Sequence, residues 1–326
     1  MSHCFIKDLQ PGINFTDTYM VTQPVLRNTT RGDLYIAMFL SDKTGKANCR
    51  VWSATEELYN QIPKEGFVQI SGKTELYQNN LQIVANQITV VAPENVNVED
   101  YMPKTSKDIP QMYKEVKQIM GGVQHPELKA LVEEYFKDSD LMRKFCYAPA
   151  AIKMHHNYIG GLLEHTNNML KVAEKILPLY PQVQGDLVLC GIFLHDMSKT
   201  EELVYNLGFS YSNTGQLVGH IVQGAIMLDQ KVDMLLDRGI EMKREIVDSL
   251  MHILLAHHGK YEFGSPKLPA TPEAFMVNYI DDLDAKMNFV EDAIENEKTA
   301  DDWTGWKQAN SQPGTKLFKK KVLEQQ

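Results

Sequence analysis

The hydrophobic period of this 326-residue chain changes once, across a stretch from Pro93 to Pro110 that carries three prolines, several Asn and Asp residues and a Thr-Ser-Lys tract. Such a stretch breaks helical and strand patterns alike and reads as a linker. Before it, apolar residues come in short alternating runs; after it, they recur at intervals of three and four. Two periods joined by one linker point to a β domain followed by an α domain, each long enough to bury its own core.

The β-like runs are Tyr19 to Leu26, Leu34 to Leu40, Ala47 to Trp52, Phe67 to Tyr77 and Leu81 to Val91. Turn signals separate them, at Arg31-Gly32-Asp33, Asp42-Lys43-Thr44-Gly45 and Asn79-Asn80. A helical pattern from Ala54 to Ile62 falls between the third and fourth runs. Five strands with a helix at that place is the order of an OB-fold barrel. With the Leu40-Ser41-Asp42-Lys43-Thr44-Gly45 turn, the segment resembles the OB domains of tRNA-binding and replication proteins. Alternation puts Tyr35 and Phe39 on one outer face of the second strand, and Arg50 and Trp52 on one face of the third. With Tyr77, they are candidates to stack single-stranded bases, each stack contributing roughly 1–3 kcal/mol. The same rings could instead pack the barrel or a domain interface, and both readings stay open.

Helical spacing covers Met112 to Met120, Pro126 to Phe136, Leu162 to Leu177, Leu187 to Leu194, Val218 to Leu236, Arg244 to His257 and Pro272 to Ala293. The expected division is a barrel over 1–92, a linker and connecting helix over 93–124, an all-α bundle over 125–300 and a basic tail over 301–326. The tail ends in Lys316-Leu317-Phe318-Lys319-Lys320-Lys321, the densest positive charge in the chain. It is either a solvated end or a phosphate contact.

A composition of 43% apolar and 23% charged residues is that of a soluble globular protein. No run approaches the roughly 20 apolar residues that cross a bilayer, so a cytoplasmic protein without membrane contact is expected. The four cysteines are scattered and read as reduced core residues. A net charge of -9 argues against a broad nucleic-acid-coating surface but not against a local groove.

Of the ten histidines, most fall between His155 and His258. One alone would signify little; the set carries the argument. His195 and Asp196 follow the apolar run Val188 to Leu194, so they are expected near the C-terminal half of a buried helix. An ionised carboxylate there is costly unless a cation pairs with it. Asp281, Asp282 and Asp284 crowd three carboxylates into four residues of one helical pattern, easier to understand if one faces a metal. A solvated acidic face fits Asp282 better than Asp281. Such donors suit divalent Mn, Fe, Co, Ni or Mg. Lys199, one turn beyond, can neutralise a phosphate from the same helix face; a surface lysine is the plain alternative.

The order His165, His195-Asp196, Asp281 resembles the HD superfamily of metal-dependent phosphohydrolases. That resemblance implies one metal held by His165, His195, Asp196 and Asp281. It implies a second, bridged by Asp196, on His220, His257 and His258. Two such metals would make a bridging water acidic enough to attack phosphorus near neutral pH. The runs from Met154 to Thr166 and from His257 to Pro266 are similar to the YhaM family of 3′→5′ exoribonucleases, which join an OB domain to an HD domain in this order. Family likeness supplies the 3′ polarity and the preference for manganese.

The expected protein is therefore a hydrolase that shortens single-stranded RNA, or DNA, to nucleoside monophosphates. A homo-oligomer is compatible with it. His155 and His156 are candidates for substrate phosphate or for packing, and Tyr211, in the segment Glu202 to Gly219, for stacking on a terminal base or for pinning a hairpin. Two rivals stand: an HD phosphodiesterase of a small or cyclic nucleotide, and a nucleic-acid-binding protein whose HD domain is a scaffold. The His257-to-Pro266 run lacks the GYP sequence of cyclic di-GMP phosphodiesterases, which disfavours one form of the first.

Overall fold

A computed structural model describes residues 3–78, 80–97, 100–152, 156–205, 209–297, 299–308 and 314–323. Asn79, Met154, His155 and residues 206–208 of the Glu202 to Gly219 segment lie outside them. The chain forms two compact units that divide between Lys104 and Thr105.

In the first unit, β1 (Asn14–Asn28), β2 (Leu34–Asp42), β3 (Gly45–Val51), β4 (Glu65–Tyr77) and β5 (Asn80–Val91) close into a barrel in the order β1-β2-β3-β5-β4. The β3–β5 pair is parallel and the others antiparallel. Helix α1 (Glu56–Gln61) falls between β3 and β4, capped by the Thr55 hydroxyl. This is the OB-fold barrel the strand order predicts. β1 begins five residues before its apolar run because Asn14, Thr16 and Thr18 conceal a paired strand. A register shift between Thr22 and Val25, with Gln23 at φ 53°, bends β1 so that one end pairs with β4 and the other with β2.

Alternate residues point inward: Ile36, Met38 and Leu40 on β2, Cys49 and Val51 on β3, Val68 and Ile70 on β4, Ile83 and Ala85 on β5. Each large one contributes about 1.5–3 kcal/mol by leaving water. Tyr35 and Phe39 accordingly fall on the outer face.

The second unit contains α2 (Ile109–Met120), α3 (Pro126–Lys137), α4 (Ser139–Tyr147), α5 (Gly161–Ile176), α6 (Gly185–Leu194), α7 (Lys199–Glu202), α8 (Asn213–Leu217), α9 (His220–Leu236), α10 (Arg244–Ala256) and α11 (Pro272–Glu295). α4 escapes the sequence pattern because it is short and buries only Leu141, Met142, Phe145 and Cys146. α6 is buried from Cys190 to Leu194 without a break, and it packs against α5, α10 and α11. Those four helices, with α9, build the site. Among the described residues a pair of two-residue antiparallel strands, β6 (Leu203–Val204) with β7 (Ser210–Tyr211), interrupts the helices. The tail turns back on itself through bridges Trp303–Phe318 and Lys307–Thr315. Among the described residues no helix is long and apolar enough to cross a membrane.

The sequence pattern places His195 and Asp196 near the C-terminal half of a buried helix, and the structure places them just past its end. α6 ends at Leu194, His195 is its C-cap, and the backbone tightens into i→i+3 bonds from Met197 to Leu194 and from Lys199 to Asp196.

Candidate metal centre

Five segments of the helical unit deliver the site. His165 comes from α5, and His195 and Asp196 from the turn after α6. His220 opens α9, His257 caps α10 with His258 next to it, and Asp281 lies on α11. Two glycines allow this convergence. A Cβ on Gly161 would lie 2.0 Å from the His156 carbonyl oxygen, so only glycine lets α5 start there. Gly259, at φ 72°, ends α10 against the Asn278 side chain, which a Cβ would meet at 2.5 Å.

Each histidine ring is oriented from its Nδ1 side. His195 and His257 donate to the carbonyls of Ile192 (2.7 Å) and Leu254 (2.8 Å), three residues back. His258 donates to the Phe263 carbonyl (2.7 Å), His220 to Glu202 Oε1 (3.1 Å) and His165 to Asp284 Oδ2 (2.7 Å). The Nδ1 bonds leave the Nε2 sides of the rings facing one another.

Two groups result, with Asp196 between them. His165, His195 and Asp281 form one, His220, His257 and His258 the other. Asp196 Oδ2 lies 3.3 Å from His195 Nε2, while Oδ1 lies 3.5 and 3.6 Å from Nε2 of His220 and His257. His165 Nε2 is 3.2 Å from Asp281 Oδ1, and His220 Nε2 is 3.4 Å from His258 Nε2. Donors around one cation at about 2.1 Å stand about 3.0–3.4 Å apart, close to these spacings. Buried His195 Nε2, His257 Nε2 and Asp196 Oδ1 have no hydrogen-bond partner among the described residues. Polar atoms so placed are costly without a ligand, so the donor set fits a divalent cation.

The electrostatics agree. Burial would raise the Asp196 carboxyl, but the Lys199 ammonium and the His195 ring outweigh it and hold it well below the usual range. Burial, then the neighbouring His257 and His220, pushes His258 down to about 3, and burial likewise lowers His257. Both stay neutral, as ligands must. For His165, burial is outweighed by Asp281 and Asp284, which raise it to about 10. A proton there supplies the positive charge that a cation would otherwise bring.

The groups open into a cleft of about 330 Å³ lined by Asp196, Lys199, His220, His258, Asp281 and Tyr211, among others. Lys199 is buried and places Nζ 2.7 Å from Asp196 Oδ2. Asp282 pairs with Lys286 at 2.5 Å, as a solvated residue would. His156 is 1% exposed, with its ring bonded to Tyr158 and Asp284. His155 lies outside the described residues. Sequence reasoning gave no role to Asp284, Glu202 or Asn278, whose side chains hold His165, His220 and the His257 carbonyl. For Asp284 a signal existed: at i+3 from Asp281 it shares that residue's helix face.

On the barrel, the Arg50 guanidinium lies 5.4, 5.6 and 5.5 Å from the ring centres of Tyr35, Trp52 and Tyr77. Gln82 holds its Nε at 2.8 Å. Phe39 is exposed on the same face of β2, but among the described residues no ring contact joins it to this cluster.

A closed barrel of this strand order, followed by helices that gather an H, HD and D set, defines an OB-fold protein with an HD domain. The family described as OB-fold nucleic acid binding domain matches residues 25–91, and the HD domain family matches residues 162–286. The chain is 32% identical to the 3'-5' exoribonuclease YhaM of Geobacillus sp. (strain WCH70) over 284 residues, 86% of each chain. It is 31% identical to the protein of that name from Bacillus subtilis (strain 168), over 86% of this chain and 88% of that one. The chain belongs to the YhaM family. The solved second OB-fold domain of replication protein A from Methanococcus maripaludis is 20% identical over 30% of this chain and 100% of its own, with a TM-score of 0.23.

Proposed function

We propose that this chain is a metal-dependent 3′→5′ exoribonuclease that releases nucleoside monophosphates from single-stranded RNA, with single-stranded DNA as a further substrate. One observation carries the reading: inward-facing Nε2 atoms converge on both oxygens of a buried Asp196 whose charge they do not fully satisfy. The 3′ polarity and RNA as substrate rest on the curated relatives.

His165, His195, Asp196 and Asp281 would hold one cation, and Asp196, His220, His257 and His258 a second, with manganese the expected ion. When bound, such cations supply Lewis-acid stabilisation of a phosphoryl oxygen and acidify an attacking water. Asp196 presents one oxygen to each group and so sets their separation. The Nδ1 bonds keep the rings from turning as charge shifts. Lys199, anchored by Asp196, neutralises charge that develops on the phosphoryl group. Tyr211, at the cleft wall, stacks on the terminal base. Tyr35, Arg50, Trp52 and Tyr77 engage the strand on the barrel, with Phe39 as an outlying contact, and the basic tail adds phosphate contacts. The protein acts in the cytoplasm.

The test is hydrolysis of 5′-labelled single-stranded RNA with manganese. A ladder that shortens from the 3′ end, with monophosphate products, supports the reading. An intact oligonucleotide beside turnover of a small or cyclic nucleotide would replace it with the phosphodiesterase reading.

A further inference from the structure

Behind His165, away from the cleft, lies a second cluster of titratable side chains: His156, Asp284 and Tyr158. A single oxygen, Asp284 Oδ2, stands 2.7 Å from His165 Nδ1 and 2.8 Å from His156 Nε2. His156 Nδ1 is 2.7 Å from the Tyr158 hydroxyl. His156, His165 and Asp284 are close enough together to be considered as a cation site themselves. The distances decide against it. At 2.7–2.8 Å these are hydrogen bonds, whereas donors that share a cation stand about 3.0–3.4 Å apart. An ionised carboxylate only accepts, so both rings donate to Asp284, and the Tyr158 hydroxyl donates to His156 Nδ1.

The backbone around His156 is committed to this arrangement. It takes φ 51°, a left-handed conformation unusual for histidine. It is held there by its N–H donating to Asn288 Oδ1 (2.8 Å) and its carbonyl accepting from Ala150 (3.1 Å). The missing side chain of Gly161 leaves room for that carbonyl. Such strain persists where surroundings over-determine it and clusters at functional sites.

Building on the metal-centre reading above, we infer that Asp284, braced on its far side by His156, is a positioning residue that locks His165 with Nδ1 protonated and Nε2 aimed at the cation. His156 serves the metal ligand rather than the substrate. With Asn at 284, the amide can turn its NH₂ group toward Nδ1, and His165 loses the acceptor that fixes its tautomer.

Calorimetric titration of metal-stripped full-length protein with manganese chloride tests this, with cobalt(II) absorption spectra in parallel. Asp284→Asn is expected to weaken manganese binding by about 10–100-fold, to alter the cobalt spectrum, and to leave the thermal transition of the stripped protein in place. His156→Gln is expected to show the same changes at smaller size. Wild-type affinity and spectrum in Asp284→Asn would overturn the inference. So would loss of binding together with the folding transition, because Asp284 would then serve the fold and not the ligand. A wild-type protein that binds no manganese would instead overturn the metal-centre reading, and this inference with it.

Discussion

Lys199 Nζ lies 2.7 Å from Asp196 Oδ2, and both side chains are buried at the base of the cleft. An ammonium group this close to the carboxylate between the two histidine groups is placed to act on whatever that carboxylate helps to bind. Burial disfavours charged Lys199, but Asp196 outweighs it and raises the pKa, so the side chain stays cationic. Lys199→Met should therefore reduce kcat by about 10²–10³-fold with little change in RNA affinity. Steady-state kinetics with a binding isotherm checks this, and a loss confined to KM would place Lys199 in binding alone.

The barrel cluster makes a separate prediction. Trp52→Ala and Tyr77→Ala remove rings that flank Arg50. Each should weaken binding of a single-stranded oligonucleotide by about 1–3 kcal/mol and leave manganese content unchanged. Fluorescence anisotropy in metal-free buffer measures the first, elemental analysis the second. Unchanged affinity in both variants would assign these rings to packing.

Gly161→Ala tests the close approach at the start of α5. Its methyl group would lie 2.0 Å from the His156 carbonyl oxygen, against backbone that cannot swing aside. The variant should lose about 1–3 kcal/mol of stability or more and bind manganese less well. Denaturant unfolding and metal titration check the two effects.

A pH effect is predicted for the barrel, far from the metal groups in sequence. Burial opposes a charged His3, but Asp42 and Asp17, 3.5 and 3.2 Å from its nitrogens, outweigh burial and raise its pKa. For Asp42, burial is outweighed by His3 and Thr44, which lower its pKa. The contribution of His3 is fully present below about pH 6.5 and fades as pH rises through its raised folded value; that of Asp42 is present above about pH 4 and fades as pH falls through its lowered one. The Tm difference between wild type and His3→Gln should be largest between these limits and shrink toward pH 9. A difference that does not vary with pH would contradict the pairing.

How much of this was legible in the sequence depended on what each residue's role left in the pattern. The barrel was readable because burial on one face writes period two into β2 and β3, whereas the polar Asn14, Thr16, Asp17 and Thr18 hid the first third of β1. His165, His195, Asp196 and Asp281 stood out by residue type. Asp284, Glu202 and His156 act through other side chains, and such roles depend on angles and distances that no spacing rule encodes. The helix end at Leu194 coincides with the end of the apolar run, but the i→i+3 turn that follows it through His195 and Asp196 leaves no mark in residue spacing.

The gathered histidines and aspartates are proposed to hold the cations with which RNA is hydrolysed. Metal-stripped protein, its His195→Ala/Asp196→Ala variant and both after addition of manganese should be compared for bound metal and for shortening of 5′-labelled RNA. Up to two manganese ions per wild-type chain are expected, with hydrolysis restored only when they are bound, and neither in the variant. Stripped protein that hydrolyses RNA as fast as loaded protein, or a variant that still does so, would contradict the proposal.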